Sequence, residues 1–174
     1  GNMGDEPHCW TDSRNGTKRG NITMLDGMVH DGLTEVYDQK HIETCADLCA
    51  KEHGISREDQ ENFAIQSYER SAKAWKEGKF IDEVVPVSVP QRKGDPIIVS
   101  EDEEYKSVRM DKISALRPVF TKDGTVTAAN ASTLNDGAAA VILMSKEKAE
   151  ALGIKPIAKI VSYADAAREP QWFT

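Results

Sequence analysis

The sequence predicts an α/β fold, and two observations carry that reading. First, the apolar run Gly137–Met144 is followed by a helix start at Ser145, a stop at Gly153 and a second apolar stretch, Ile157–Val161. Strand, helix, strand at this spacing points to a parallel layer, and an unbroken apolar strand suits burial on both faces. Second, Phe63, Ala64, Tyr68, Ala72 and Trp75 recur near a 3.6-residue period, which predicts a long amphipathic helix.

The elements before that layer follow from local signals. Residues 1–30 read as an irregular arm punctuated by Gly16, Gly20 and Gly27 and made locally basic by Lys18 and Arg19. A helix is expected over about 38–53, stopped by Gly54. Ser56 then offers a capping hydroxyl, with Glu58 and Asp59 in the first turn, so the long helix starts there and ends at Gly78. Glu83–Val89 and Ile97–Val99 read as short strands, the first confined to an edge or bulge by Pro86 and Pro90. The acidic run Glu101–Glu104 reads as a solvated turn, leading into a stretch with Lys106, Arg109 and Lys112. Thr125–Ala131 begins β-rich and then turns small, ahead of the Asn135-Asp136-Gly137 turn.

Composition bounds the function. With 39% hydrophobic and 29% charged residues, a chain of 174 residues is that of a globular protein. A net charge of −7 argues against nucleic acid as a partner, because phosphates need a basic face. No apolar run approaches the roughly 20 residues that span a bilayer, so no membrane partner is expected. The first residues show neither a signal core nor an arginine-rich targeting pattern. Three cysteines, Cys9, Cys45 and Cys49, without scaffold spacing point to a reducing compartment. His41, Cys45 and Cys49 fall four apart on the expected helix; a metal is one reading, a small apolar face with Leu48 the favoured one.

Three ordered stretches carry a family resemblance. Gly124–Met144 (GTVTAANASTLNDGAAAVILM) resembles the signature that closes the first half of thiolases. Asp31–Thr34 resembles the start of their loop domain, and Arg57–Phe80 their long helix. Asp165–Ala167 with Glu169-Pro170 is similar to eukaryotic acetoacetyl-CoA thiolases in particular. The resemblance spans essentially the whole chain. It implies a layered thiolase-type sandwich, of which residues 1–120 are the loop domain, 121–149 the end of the N-terminal half and 150–174 the start of the C-terminal half.

The resemblance also implies chemistry: two acetyl-CoA condense to acetoacetyl-CoA, or the reverse thiolysis, through an acyl-cysteine. The family's catalytic settings (Cys-x-Ser-Gly, Asn-Glu-Ala-Phe, Gly-His-Pro, Cys-x-Gly-Gly-Gly) do not occur in these residues, so no catalytic residue is assigned. Coenzyme A contacts carry over to Ser107, Val108, Arg109 and Lys112 at the nucleotide and to Ser132 at the pantetheine arm. An arginine is usual where Ser107 stands. A potassium site carries over to the Tyr68 hydroxyl and the carbonyls of Ala128, Ala129 and Ala131. The arm at about 7–28 aligns with the loop that joins two dimers into a tetramer, and the resemblance favours a mitochondrial location over a cytoplasmic one. One departure stands out: Lys40-His41-Ile42-Glu43 replaces the usual His-Met-Gly beside the acyl group. A diverged, non-catalytic module that binds coenzyme A or thiolase subunits is the alternative reading.

Overall fold

The computed structural model describes residues 4–17 and 19–174. The absent targeting pattern, in part, and the basic character of Lys18 concern positions outside those residues. The chain divides into two compact units, Glu43–Ser132 and Gly1–Ile42 with Thr133–Thr174.

The Glu43–Ser132 unit is built on helices α1 (Glu43–Glu52) and α2 (Arg57–Lys76). Ser56 caps α2 as expected: its hydroxyl accepts from the Asp59 amide at 3.1 Å, and the Asp59 carboxylate accepts from the Ser56 amide at 3.0 Å. Both helices end on a left-handed glycine, Gly54 at φ 63° and Gly78 at φ 69°. In each case the residue beyond the glycine returns an amide to the last turn, Ile55 to Ala50 at 2.8 Å and Lys79 to Ala74 at 3.0 Å. Helix α1 is shorter at its start than the sequence reading. His41 therefore lies off the helix, bridged to Thr34, and does not share a helical face with Cys45 and Cys49. Among the described residues no three His, Cys, Asp or Glu side chains are grouped to hold a metal ion.

After α2, Trp75 packs on Phe80 with centroids 4.8 Å apart. A hairpin of β3 (Val87–Val89) and β4 (Ile97–Val99) follows, with Val87 opposite Val99 and Val89 opposite Ile97. Only three residues of the expected Glu83–Val89 strand pair, because Pro86 lacks the amide that a ladder needs. A four-residue helix α3 (Glu104–Ser107) and a 3-10 helix at Met110–Ala115 complete the elements. The core draws on α1, α2, the 3-10 helix and the segment after it: Cys45 and Ala50 from α1, Ala64 from α2, Ile113 from the 3-10 helix, and Val126, Thr127 and Ala129 beyond it, while β3, β4 and α3 bury no residue. Phe63 departs from the expected apolar stripe and stands 72% exposed, while its neighbour Ala64 is buried. Consecutive helical residues lie about 100° apart around the axis, so one of the two must face out.

In the other unit the arm closes on itself. Strands β1 (His8–Cys9) and β2 (Leu25–Asp26) pair antiparallel, and the Gly27 amide donates to the Pro7 carbonyl at 3.0 Å. Helix α4 (Lys146–Ala151) is capped by Ser145 and ended by Gly153 at φ 65°. The two strands expected around it, Gly137–Met144 and Ile157–Val161, are not formed. Parallel strands exist only as members of a ladder, and these segments find no partner strand among the described residues. Their side chains stand open, Ile142 at 86% and Val161 at 84% exposure. No helix of the described residues is long and apolar enough to cross a membrane.

Candidate functional site

The residues predicted to meet a nucleotide lie together on the short run between α3 and the 3-10 helix. Ser107 ends α3 with its hydroxyl donated back to the Glu104 carbonyl at 2.9 Å. Val108 is extended and half-buried. Arg109 caps the 3-10 helix, and the Lys112 amide donates to its carbonyl at 2.9 Å. Ile113, 1% exposed, pins this turn to the core, so the backbone under Arg109 and Lys112 is fixed while both cations reach solvent.

The acidic run ahead of it is largely exposed, as expected of a solvated turn, and it also makes specific bonds. Asp102, two residues before α3, accepts the first amide of that helix, from Glu104, at 3.0 Å. Glu101 accepts from the Tyr105 hydroxyl and pairs with Lys106 at 2.7 Å, with the Lys106 ammonium 5.7 Å from the Tyr105 ring centroid. The Lys106 hydrogen bond, then that of Tyr105, holds the Glu101 carboxyl below its ordinary range; the same bond raises the Lys106 ammonium. Lys106 is therefore already committed. Glu104 accepts from the Tyr68 hydroxyl at 3.4 Å. Burial first, then the Glu104 charge, pushes the Tyr68 phenol above its usual value, so it stays a neutral donor.

Ala128, Ala129 and Ala131 sit on a tight turn rather than on a strand. Thr127, fully buried, receives the Asn130 and Ala131 amides on its carbonyl at 3.2 and 2.9 Å. Its own amide donates to the Asn130 side chain at 2.6 Å, and the Asn130 side-chain amide donates to the Thr125 carbonyl at 3.1 Å. The Thr127 amide and carbonyl thus both have partners, and its hydroxyl accepts the Ala129 amide at 3.3 Å, which is why a buried threonine is tolerated. This segment is tied to α2 through Gln60, which donates to the Thr125 hydroxyl at 3.0 Å. Tyr68 lies eight residues further along, roughly 12 Å down the helix axis. Its hydroxyl is bonded to α3, and no described hydrogen bond joins it to the alanine turn. Ser132 follows that turn and is exposed.

Asp47 is the residue that sequence reasoning missed. From α1 it accepts the Thr121 hydroxyl at 2.7 Å, the Thr125 amide at 2.7 Å and the Val126 amide at 3.2 Å. Burial works to raise its pKa, but these bonds together outweigh it and hold the carboxyl below the usual value. The chain comes so near that a Cβ on Gly124 would meet Asp47 Oδ2 at 2.4 Å. Arg57 makes a second clamp, from α2: Nε donates to Glu61 at 2.6 Å and the guanidinium also reaches the Leu116 carbonyl. These two clamps set the turn and the 3-10 helix on the pair of helices.

Comparison with known proteins extends the geometry. Residues 1–147 match the family described as thiolase, N-terminal domain. An acetyl-CoA acetyltransferase of Chromobacterium violaceum is 51% identical over 97% of this chain and 43% of its own length. One from Schizosaccharomyces pombe is 47% identical over 99% of this chain and 44% of its own. A crystal structure of a thiolase from Ascaris suum in complex with coenzyme A superposes with a TM-score of 0.87 at 42% identity, over 97% of this chain and 42% of that one. The chain thus spans less than half the length of these relatives.

Proposed function

The chain belongs to the thiolase family, and from that premise we propose that it is the central part of an acetyl-CoA C-acetyltransferase. The whole enzyme would join two acetyl-CoA into acetoacetyl-CoA and coenzyme A, or run the reverse thiolysis. The observation that carries the reading is likeness to acetyl-CoA acetyltransferases across nearly all 174 residues, with a coenzyme A complex among the similar structures. The nucleophile and acid–base groups lie in motifs outside these residues. The part played here is to hold the long handle of the substrate, which orients the distant thioester and so bears on rate as well as affinity. The division at about 120 and 149, into loop domain and the two halves, is part of the same proposal.

Ser107, Val108, Arg109 and Lys112 are assigned to the nucleotide and Ser132 to the pantetheine arm. Arg109 supplies the planar cation that Ser107 does not, suited to a phosphate or to the face of adenine. Arg109→Ala and Lys112→Ala are each expected to raise the Michaelis constant for acetoacetyl-CoA roughly three- to tenfold, as for an exposed charge-assisted contact. Steady-state kinetics with both variants at unchanged constants would remove the assignment.

Potassium is the second proposed ligand, held by the Tyr68 hydroxyl and the carbonyls of Ala128, Ala129 and Ala131. Carbonyl oxygens on a rigid turn suit a hard monovalent cation. Binding would draw Tyr68 away from Glu104 or share the ion with that carboxylate. Rates in potassium should exceed rates in sodium at equal ionic strength, and Tyr68→Phe should erase the difference. Equal rates in the two salts would dismiss the site.

The assembly we infer is a tetramer joined through the arm at about 7–28, and the compartment the mitochondrion, with the cytoplasm as alternative. A non-catalytic, diverged module is the second reading, favoured by one segment. His41 is bridged to Thr34, the Ile42 amide donates to the Leu33 carbonyl at 2.9 Å, and Glu43 opens α1. A carboxylate suits that helix start, so Glu43 has a structural reason where the family has glycine. Activity of the full-length enzyme on acetoacetyl-CoA separates the two readings.

A further inference from the structure

Arg109 and Lys112 do not present two free charges. The Arg109 guanidinium lies 3.7 Å from Asp111 Oδ2, and the Lys112 ammonium 3.8 Å from the same oxygen. One 3-10 turn brings positions 109 and 112 over one another, and Asp111 sits between them. All three side chains are more than half exposed, so a ligand can reach them. Lys106 is occupied by Glu101 at 2.7 Å and adds little net charge. Two cations therefore share one carboxylate.

We propose that Asp111 is an internal counter-ion that competes with the ligand's phosphates for Arg109 and Lys112, and so sets how tightly the nucleotide end is held. The inference rests on the coenzyme A reading above. A carboxylate and a phosphate seek the same donors, and like charges at this range repel. An arriving phosphate must displace Asp111 and then sit beside it. With Asp111 present the three side chains sum to a single positive charge; without it they sum to two. The counter-ion keeps both cations gathered while the site is empty, and it lowers the cost of letting the product go. Retention is thereby traded for turnover, in an enzyme type that must release coenzyme A in each cycle.

The test is Asp111→Asn, with Asp111→Ser as a second neutral variant, in the full-length enzyme. Titration calorimetry would follow coenzyme A and, as the probe without phosphates, pantetheine. Both variants should bind coenzyme A roughly two- to fivefold more tightly at low salt, and the gain should shrink as ionic strength rises. Pantetheine affinity should not move. Unchanged or weaker coenzyme A binding in both, while Arg109→Ala and Lys112→Ala still weaken it, overturns the counter-ion role and leaves the coenzyme A reading standing. If none of the four substitutions alters coenzyme A binding, the nucleotide assignment falls and this inference with it.

Discussion

Replacing Asp47 with alanine is expected to destabilise the protein by about 2–4 kcal/mol, the order of losing several hydrogen bonds to one charged acceptor. The substitution strips partners from the Thr121 hydroxyl and from the Thr125 and Val126 amides at once. Val126 is 4% exposed, so water cannot freely replace its lost acceptor. Asp47→Asn keeps the volume but turns an amide group toward donors, and should cost nearly as much. Gly124→Ala attacks the same joint from the other side, since its Cβ would stand 2.2 Å from the Thr121 hydroxyl. Denaturant midpoints of the full-length protein check all three. A midpoint for Asp47→Ala within error of the parent would mean that the turn is held without it. The pH dependence has a definite sign. The carboxyl is lowered from 3.8 in the folded state, so its contribution is complete above that value and is lost as pH falls through the lower folded one. Acid unfolding of Asp47→Ala should accordingly be flatter below about pH 4.

That joint also marks how far the sequence could be read. The stops at Gly54, Gly78 and Gly153 and the caps at Ser56 and Ser145 were legible because each needs only residues within one or two turns of itself. Asp47 was not legible, because its partners are 74 to 79 residues away and their amides carry no mark in the sequence. Thr125–Ala131 looked β-rich for the same reason: the Asn130 side chain, closing the turn onto Thr125 and Thr127, is invisible to propensity. The run Gly137–Met144 has the composition of a strand buried on both faces, yet composition cannot supply the neighbours that make one. At the nucleotide segment the cations were conspicuous and Asp111 between them was not, since spacing shows charges but not which of them are paired. The assignment to thiolases was open from the signature Gly124–Met144, because there residue identities rather than periodicity carry the information.

On the proposed tetramer, replacing residues 10–24 by a two-residue Asn-Gly turn is expected to halve the mass of the assembly, to a dimer, while leaving it folded. The arm is closed at its base by the pairing of His8 with Asp26 and Cys9 with Leu25, so the excision can be made without opening that base. Two-residue Asn-Gly turns match the twist of such antiparallel pairs. Within the arm Ile22 and Met24 are each 54% exposed, and Trp10 beside β1 is only half-covered. Apolar groups on a loop too small for a core are stabilised by a surface outside it, and a large aromatic usually dominates such a contact. Trp10→Ala alone should therefore shift the equilibrium the same way. Gly27→Ala supplies an independent lever: its Cβ would lie 2.6 Å from the Pro7 carbonyl oxygen, which is backbone and cannot swing aside. Prying the base apart there should misdirect the arm and weaken the tetramer with the arm's own residues intact. Light scattering with ultracentrifugation reads all three variants. An excised protein that still runs as a tetramer would show that the joint between dimers lies elsewhere on the surface, and that Trp10 merely rests against its own chain.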